Sequence, residues 1–147
     1  MARPDCTPGP AKADGTFNAA AASWKVADGN WWIFHATFRV GDTKGDGRDD
    51  ILALYGYTGG GVAMFTFQAQ ANGGFAAPVK SWTRTKEQWP YASTKFTTGD
   101  YNGDGRDDVL TMYTYHNGST GAFTFKGRTD GGFENGFLSW QTLPGTW

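Results

Sequence analysis

Short stretches in which hydrophobic and polar positions alternate occur along the chain and predict β-strands. In the segment 108–115 (DVLTMYTY), one set of alternate positions holds Val, Thr and Tyr, and the other set holds Leu, Met and Thr. A period of two residues is typical of a strand, and apolar residues on both faces indicate packing on both sides. Glycine-bearing turns separate this segment from further strands predicted at about 92–98, 121–128 and 133–140. The order predicts a four-stranded antiparallel meander.

The pattern occurs twice, with a period of 58 residues. The phrase GDTKGDGRDD begins at Gly41, and GDYNGDGRDD begins at Gly99. The other landmarks that keep this spacing are Phe17, Phe75 and Phe133, then Trp24, Trp82 and Trp140, then Trp31, Trp89 and Trp147. The second of these three sets alternates with the strand and is expected to pack between blades. A repeat of this length is typical of propellers, solenoids and arrays, whose units cannot bury their apolar faces alone. We divide the chain into a flexible tail at 1–13, a partial unit at 14–22, units at 23–80 and 81–138, and a trailing segment at 139–147.

The fold class that this pattern predicts is all-β, with two β-propeller blades of four strands each. A β-sandwich and a solenoid are the alternatives. Residues 17–23 predict an extra leading strand, equivalent to the fourth strand of a preceding blade. Two blades would leave two large apolar faces open to water, which predicts that the chain assembles into a homo-oligomer. The competing explanations are that the chain is part of a longer propeller or one partner of a hetero-complex.

Charge and composition exclude several partner classes. The 13 basic and 14 acidic residues form no basic patch for nucleic acid and no polybasic surface for membranes. No apolar run approaches the roughly 20 residues of a membrane span. The first ten residues have no apolar signal-peptide region, and a mature secreted domain with an added start Met would have the same appearance. The single cysteine, Cys6, is expected to be a free thiol in the tail, with an intermolecular disulfide as the alternative.

The acidic phrase at 99–108 has the spacing of a calcium loop. Counted from Asp100, side-chain oxygens fall at positions 1, 3, 5 and 9, a glycine stands at position 6, and a backbone carbonyl falls at position 7. These candidate ligands are Asp100, Asn102, Asp104, Asp108 and the carbonyl of Arg106. Alternate oxygens of this kind suit Ca²⁺. Position 12 holds Thr111 where an EF-hand has Glu, so we predict a calcium loop between two strands. The alternative is a solvated acidic turn without metal.

The earlier copy of the loop departs from this pattern at one position. Asp42, Asp46, the Arg48 carbonyl and Asp50 occupy positions 1, 5, 7 and 9, but position 3 is Lys44. An ammonium group has no lone pair to offer a metal. Two arrangements fit the sequence. Lys44 turns outward and water takes its place in a weak site, or the ammonium group replaces the metal.

The sequence GDYNGDGRDDVLTMY and the repeats around it resemble the FG-GAP/VCBS family of integrin-α-like propeller repeats, and they are similar to actinobacterial versions in secreted proteins. The resemblance extends over about 14–147. It implies that each loop joins the first two strands of a blade, that calcium is structural, and that Asp100, Asn102, Asp104, Arg106 and Asp108 are its ligands. It also implies an extracellular location.

The sequence favours a binding module over an enzyme. His35 and His116 are isolated, and no nucleophile elbow, metalloprotease helix, P-loop or paired-cysteine motif occurs. Trp31, Trp89 and Trp147 fall in polar connections between units, where flat aromatic surfaces suit the C–H face of a sugar. One hypothesis is therefore a lectin-like module that binds carbohydrate. The other is a protein-binding, adhesion or assembly module.

Overall fold

The computed structural model describes residues 12–16, 22–27 and 31–146, which form two four-stranded antiparallel sheets. The first sheet contains β1 (Ala36–Gly41), β2 (Asp50–Gly56), β3 (Val62–Phe67) and β4 (Val79–Arg84). The second sheet contains β5 (Thr94–Gly99), β6 (Asp108–Thr114), β7 (Thr120–Phe125) and β8 (Phe137–Gln141). Neighbours in sequence are neighbours in each sheet, so each is a meander. The predicted all-β fold with two four-stranded blades is confirmed.

The two sheets repeat each other in detail. Each first strand follows a three-residue 3₁₀ turn, at Ile33–His35 and at Tyr91–Ser93. Each third strand shifts register against the fourth, between Met64 and Phe65 in one sheet and between Ala122 and Phe123 in the other. The shared irregularity shows that the 58-residue sequence repeat is also a structural repeat.

The fourth strand of the second sheet is shorter than the sequence predicts. The alternation placed it at 133–140, whereas β8 begins at Phe137. Phe133 is buried in the core and makes only an isolated bridge with Gly127. The chain then crosses the ring of Phe125 at Gly136, where an added Cβ would lie 2.5 Å from that ring. The first sheet has the same interruption, with an isolated bridge between Ala69 and Phe75 before β4 begins at Val79.

The core lies between the two sheets. We call the side of the first sheet that faces this core its back face and the side of the second sheet that faces it its front face, so that corresponding sides of the two repeats have the same name. The back face of the first sheet contributes Leu52, Leu54, Met64 and Trp82. The front face of the second sheet contributes Phe96, Val109 and Phe125. Each of these side chains is at most 5% exposed. Burial of one such side chain stabilises a fold by about 1.5–3 kcal/mol, so this layer is what holds the two sheets together.

The two remaining sheet faces are more open. On the front face of the first sheet, Phe38 is 37% and Val40 is 57% exposed. On the back face of the second sheet, Met112 is 37% and Trp140 is 47% exposed. The sequence predicted that Trp140 packs between blades, as Trp82 does. Trp140 is instead open, because no described residue covers the back face of β8.

Several predicted features fall wholly or partly outside the described residues. These are the tail at 1–13, of which 12 and 13 are described, the leading strand at 17–23, of which 22 and 23 are described, and Cys6, Phe17 and Trp147. The described segment 22–27 places the Trp24 ring against Phe67 on the front face of the first sheet.

Candidate metal loops

The second acidic loop joins β5 to β6 and folds around the carboxylate of Asp100. Its Oδ1 accepts hydrogen bonds from the backbone N–H of Gly103 (2.7 Å) and Asp104 (3.1 Å), and its Oδ2 accepts one from Gly105 (2.9 Å). The Gly105 bond is the largest cause that holds the pKa of Asp100 below its ordinary value. Gly105 has a φ of 82°, a left-handed conformation that glycine adopts without strain. One carboxylate therefore fixes the curvature of the loop.

The next acidic side chain of this loop is engaged by a cation of the chain itself. Asp104 Oδ1 accepts the backbone N–H of Arg106 (3.0 Å), and Oδ2 pairs with the Arg106 guanidinium (2.5 Å). The same guanidinium donates through Nε to the carbonyl of Gly127 (3.1 Å). The sequence predicted only a backbone role for Arg106. In the structure its side chain closes one side of the loop.

Asp108 is the most unusual group of the loop, because it is a fully buried carboxylate. Its Oδ1 accepts the N–H of Gly127 (2.8 Å) and lies 3.4 Å from the amide nitrogen of Asn102. Its Oδ2 has no hydrogen-bond partner among the residues that the structure describes. Burial raises the pKa of Asp108, and the nearby charges of Asp104 and Asp100 raise it further, although the backbone N–H groups of Gly127 and, to a smaller extent, Tyr101 oppose the rise. A buried carboxylate oxygen without a donor is costly unless something else compensates it.

The first acidic loop, between β1 and β2, has the same frame but a different interior. Asp42 accepts the N–H groups of Gly45, Asp46 and Gly47 at 2.7–3.0 Å, and these bonds lower its pKa despite the opposing effect of burial. Asp50, the counterpart of Asp108, is satisfied on both oxygens: Oδ1 accepts the N–H of Ala69 (2.8 Å), and Oδ2 accepts the hydroxyl of Thr43.

The residue that makes this difference is Thr43, whose counterpart in the second loop is Tyr101. Thr43 is buried, and its hydroxyl reaches the carboxylate of Asp50. Tyr101 is 47% exposed. The first loop therefore compensates its buried carboxylate with a hydroxyl of the chain, and the second loop does not.

The two loops also hold each other. The N–H of Asp107 donates to the carbonyl of Asp42 (2.8 Å), and the N–H of Asp42 donates to Oδ2 of Asp107 (2.9 Å). Gly41 makes this contact possible, because a Cβ there would lie 2.4 Å from that carboxylate oxygen. Sequence reasoning did not assign this role to Asp107. The doubled aspartate that ends both acidic phrases was the available signal.

The predicted ligands thus lie in two loops, one set in each, but the carboxylates of a set do not converge on one point. Within the described part of the chain, no three Asp, Glu, His or Cys side chains are close enough to form a metal-binding group. The pairs Asp104–Arg106 and Asp46–Arg48, each 2.5 Å between nitrogen and oxygen, turn one carboxylate of each loop towards its own arginine. A cation site would require these arginines to release their partners.

The tryptophans that were predicted to bind sugar are packed against other aromatic rings. Trp89 is half-buried, contacts Trp82, Tyr113 and Phe123 at centroid distances of 4.7–5.3 Å, and donates from its indole nitrogen to Thr94 (2.7 Å). Trp31 makes the corresponding contacts in the first sheet, including one with Tyr55 at 4.5 Å. Trp147 lies outside the described residues. A carbohydrate role for these tryptophans stays a prediction.

A pocket of about 360 Å³ opens between the two sheets, close to the two 3₁₀ turns. Aromatic rings and a few polar groups line it, among them Phe34, His35, Tyr57, Lys86 and Tyr91. Tyr91 lies directly over the backbone of Gly56, where a Cβ would be 2.6 Å from its ring. Sequence reasoning did not identify this pocket, because its lining residues come from both repeats.

Comparison with protein families gives a match to the FG-GAP-like repeat over residues 42–111. The matched segment begins in the first acidic loop, contains the whole second loop and ends in β6. This segment belongs to the FG-GAP-like repeat family. FG-GAP-like repeats are propeller blades, generally without catalytic activity, and they are typical of interaction or adhesion modules of extracellular proteins. The predicted family resemblance is therefore confirmed for the FG-GAP-like repeat, while the VCBS and actinobacterial assignments stay predictions.

Comparison with curated proteins and with solved structures gave no significant match. A membrane-spanning segment was also sought, and no helix in the described ranges is long and apolar enough to be one.

Proposed function

We propose that the chain is a non-catalytic propeller module that binds protein through its open blade faces and that calcium in the second acidic loop stabilises it. The observation that carries the calcium proposal is the buried Oδ2 of Asp108, which lacks a hydrogen-bond donor among the described residues. A divalent cation in the loop would compensate this oxygen and the charges of Asp100 and Asp104. The donor set consists of hard oxygens, which is the chemistry that Ca²⁺ prefers.

The residues that would hold the ion are Asp100, Asn102, Asp104, Asp108 and the carbonyl of Arg106. Asp100 already bends the loop through three backbone bonds, so the loop is organised before an ion arrives. The Arg106 guanidinium supplies a positive charge to Asp104 in the structure. The ion would supply that charge in its place and tie the start of β6 to the loop.

We propose a weaker site, or none, at Asp42, Asp46, Arg48 and Asp50. Thr43 already donates to the buried carboxylate of this loop, so an ion has less to compensate. Lys44 adds a positive charge and no ligand at the third position. Both differences lower the gain from calcium at the first loop.

The protein-binding part of the proposal is supported by the exposed apolar side chains on two opposite sheet faces. Phe38 and Val40 lie on one of them, and Met112 and Trp140 on the other. Both faces carry side-chain types that the core uses between the sheets. Exposed apolar surface of this kind is typical of association sites. An extracellular location agrees with the usual occurrence of the family, and secretion itself is part of the proposal.

Thermal melting with and without chelator tests the calcium part. We expect EDTA to lower the melting temperature of the wild-type chain and to have little effect on Asp104→Ala. The matched control is Asp46→Ala in the first loop, which should keep most of the response. Equal melting curves of the wild-type chain with EDTA and with calcium would overturn the proposal.

Carbohydrate binding is the second candidate function, and the pocket between the sheets is the observation that favours it. Its volume suits one sugar ring, and Tyr57 and Lys86 offer polar groups beside the Phe34 ring. A glycan array with the wild-type chain and Tyr57→Ala tests it. A glycan signal that Tyr57→Ala removes would support this function, and a blank array would exclude it for the glycans presented.

A further inference from the structure

The contact between the two sheets shows which surfaces of this chain fit one another. The back face of the first sheet presents Leu52, Leu54 and Trp82, and the front face of the second sheet receives them on Phe96 and Phe125. Because the chain repeats every 58 residues, each side of this contact has a counterpart elsewhere in the molecule. The counterparts are Leu110, Met112 and Trp140 on the back of the second sheet, and Phe38 and Phe67 on the front of the first.

The counterpart surfaces are open and form a complementary pair. On the front face of the first sheet, an apolar groove of about 330 Å³ lies between the 22–27 segment and β1, and Phe38, Ile51, Phe67 and Phe75 line it. On the back face of the second sheet, Met112 and Trp140 are exposed. These two surfaces continue the pattern of the internal contact, so the back face of one copy fits the front face of another.

The loops offer a polar continuation of the same contact. Within the chain, the N–H of Asp42 donates to the carboxylate of Asp107, next to Gly41. The counterparts are the N–H of Asp100, the exposed carboxylate of Asp49 and Gly99. A second copy docked in the repeat geometry would therefore bring its Asp49 to the second loop beside Gly99, where the partly exposed Tyr101 ring lies and would turn aside.

The 22–27 segment already fills part of the groove. The Trp24 ring contacts Phe67 at 5.1 Å with an angle of 73° between the rings, and Trp82 contacts Phe125 at 5.1 Å with an angle of 77°. Trp24 also packs edge-on against Trp31 at 5.7 Å, as Trp82 does against Trp89 at 5.3 Å. Trp24 thus occupies, on the first sheet, the place that Trp82 occupies on the second.

We propose that a second copy of this chain docks head to tail on the front face of the first sheet and that Trp24 competes with the incoming Trp140 for one aromatic position. This inference rests on the proposed interaction function. The partner is a second copy of the chain, and the 22–27 segment regulates its access to the groove. The 22–27 segment covers the groove in the free chain, and Trp140 displaces Trp24 on association. Such a contact joins two different surfaces, so it produces rings or open chains.

The intermolecular contact is weaker than the internal one, because part of its polar support does not repeat. Arg39 donates to the carbonyl of Phe96 (3.0 Å), and the hydroxyl groups of Thr37 and Tyr91 lie 2.9 Å apart. The counterparts of Arg39 and Thr37 are Thr97 and Lys95. Association is therefore reversible and depends on concentration.

Sedimentation velocity over a concentration series tests the proposal on the full chain with calcium. We expect Trp140→Ser to weaken self-association at least tenfold, and Trp24→Ser to strengthen it by about tenfold, since the competing ring is gone. Trp24→Phe is the matched control and should behave like the wild-type chain, because it keeps an aromatic ring in the groove. Phe38→Glu, on the groove itself, provides a test independent of Trp24 and should weaken association as Trp140→Ser does.

Two results would overturn the proposal. Monomers in all variants would exclude a second copy as the partner, and unchanged or weaker association of Trp24→Ser would exclude the competition. Thermal melting of the same samples separates these failures from a failure of the calcium proposal. A monomer whose melting temperature still falls in EDTA leaves the calcium module intact, and an associating chain that is insensitive to EDTA contradicts only the calcium part.

Discussion

The substitution Asp108→Asn changes one oxygen of the second loop to an amide group and leaves the rest of the side chain in place. The remaining Oδ1 still accepts the N–H of Gly127, so the contact between the start of β6 and the segment after β7 persists. The new NH₂ group stands where Oδ2 lacks a donor among the described residues. The substitution also removes the negative charge that the carboxylates of Asp104 and Asp100 repel.

The expected effect in the absence of calcium is an increase in stability. A buried polar atom without a partner costs about 1–3 kcal/mol, and a charged one costs more. Since the folded-state pKa of Asp108 is raised, the ionised carboxylate at neutral pH lowers the free energy of unfolding. Asp108→Asn removes the charge, which is the costlier part of leaving this atom buried without a partner. We expect a gain of about 1–3 kcal/mol, which corresponds to a rise of roughly 2–12 °C in the melting temperature of a chain of this size.

The matched control is Asp50→Asn in the first loop. Asp50 Oδ2 accepts the hydroxyl of Thr43, and in Asp50→Asn that hydroxyl would have to turn and accept from a neutral amide in place of donating to a charged oxygen. We expect this variant to lose about 1–2 kcal/mol, because a hydrogen bond to a charged group is lost. The two substitutions are chemically identical, so opposite signs would reflect the different partners of the two carboxylates, above all Thr43 in the first loop and its counterpart Tyr101 in the second.

The assay is scanning calorimetry in EDTA and in calcium. In EDTA, Asp108→Asn should melt above the wild-type chain and Asp50→Asn below it. In calcium, Asp108→Asn should gain much less than the wild-type chain, since it has lost a charged ligand. If Asp108→Asn lowers the melting temperature in EDTA as much as Asp50→Asn does, the buried oxygen is not the uncompensated group that the account requires.

Three further predictions concern the loops and the sheet faces. Lys44→Asn should strengthen calcium binding at the first loop in a calorimetric titration, because it adds a side-chain oxygen and removes a positive charge, and unchanged affinity would contradict this. Gly41→Ala should lower the free energy of unfolding, measured in urea, by about 1–3 kcal/mol, because its Cβ would overpack against the neighbouring loop. Gly99→Ala should be tolerated in the same assay, because its Cβ would meet its nearest neighbour at 3.4 Å. Trp82→Ala should lower the free energy of unfolding by about 3–5 kcal/mol and Trp140→Ala by less than about 1 kcal/mol, because Trp82 is 5% and Trp140 is 47% exposed. Similar decreases for the two variants would refute the assignment of core and open faces.

Strand positions were predictable from the sequence because alternation and glycine turns are local signals. The segment 108–115 contains β6, and the 58-residue period placed two equivalent meanders. The start of β8 was not predictable from alternation. It depends on how Phe133 enters the core and how Gly136 crosses the Phe125 ring, which are contacts between distant residues.

The loop ligands were predictable only as a spacing. The positions of Asp100 and Asp104 follow from the phrase itself, but their partners do not. Whether a buried aspartate is satisfied depends on the side chain seven residues before it, which is Thr43 in one loop and Tyr101 in the other. The pairing of Asp104 with the Arg106 side chain depends on the side-chain conformer of Arg106, which the spacing of the residues does not determine.

The roles of the tryptophans depended on neighbours that the sequence does not place. Trp82 and Trp140 have the same position in their repeats, yet one is buried and the other open, because only one has a sheet packed over it. Trp89 falls in a polar connection in the sequence, but its ring packs into the core cluster. A sequence repeat therefore predicts the strands within a unit, whereas the burial of a side chain depends on which sheet packs over it.

Calorimetric titration of the calcium-free chain with CaCl₂ tests the central claim most directly, which is that the second acidic loop binds a structural calcium ion. The account predicts one site of higher affinity, lost in Asp100→Ala, and a weaker or undetectable site, lost in Asp42→Ala. Absence of any binding up to about 10 mM calcium, beyond the range of known extracellular calcium modules, would contradict the claim. Two sites of equal affinity would contradict the ranking of the two loops.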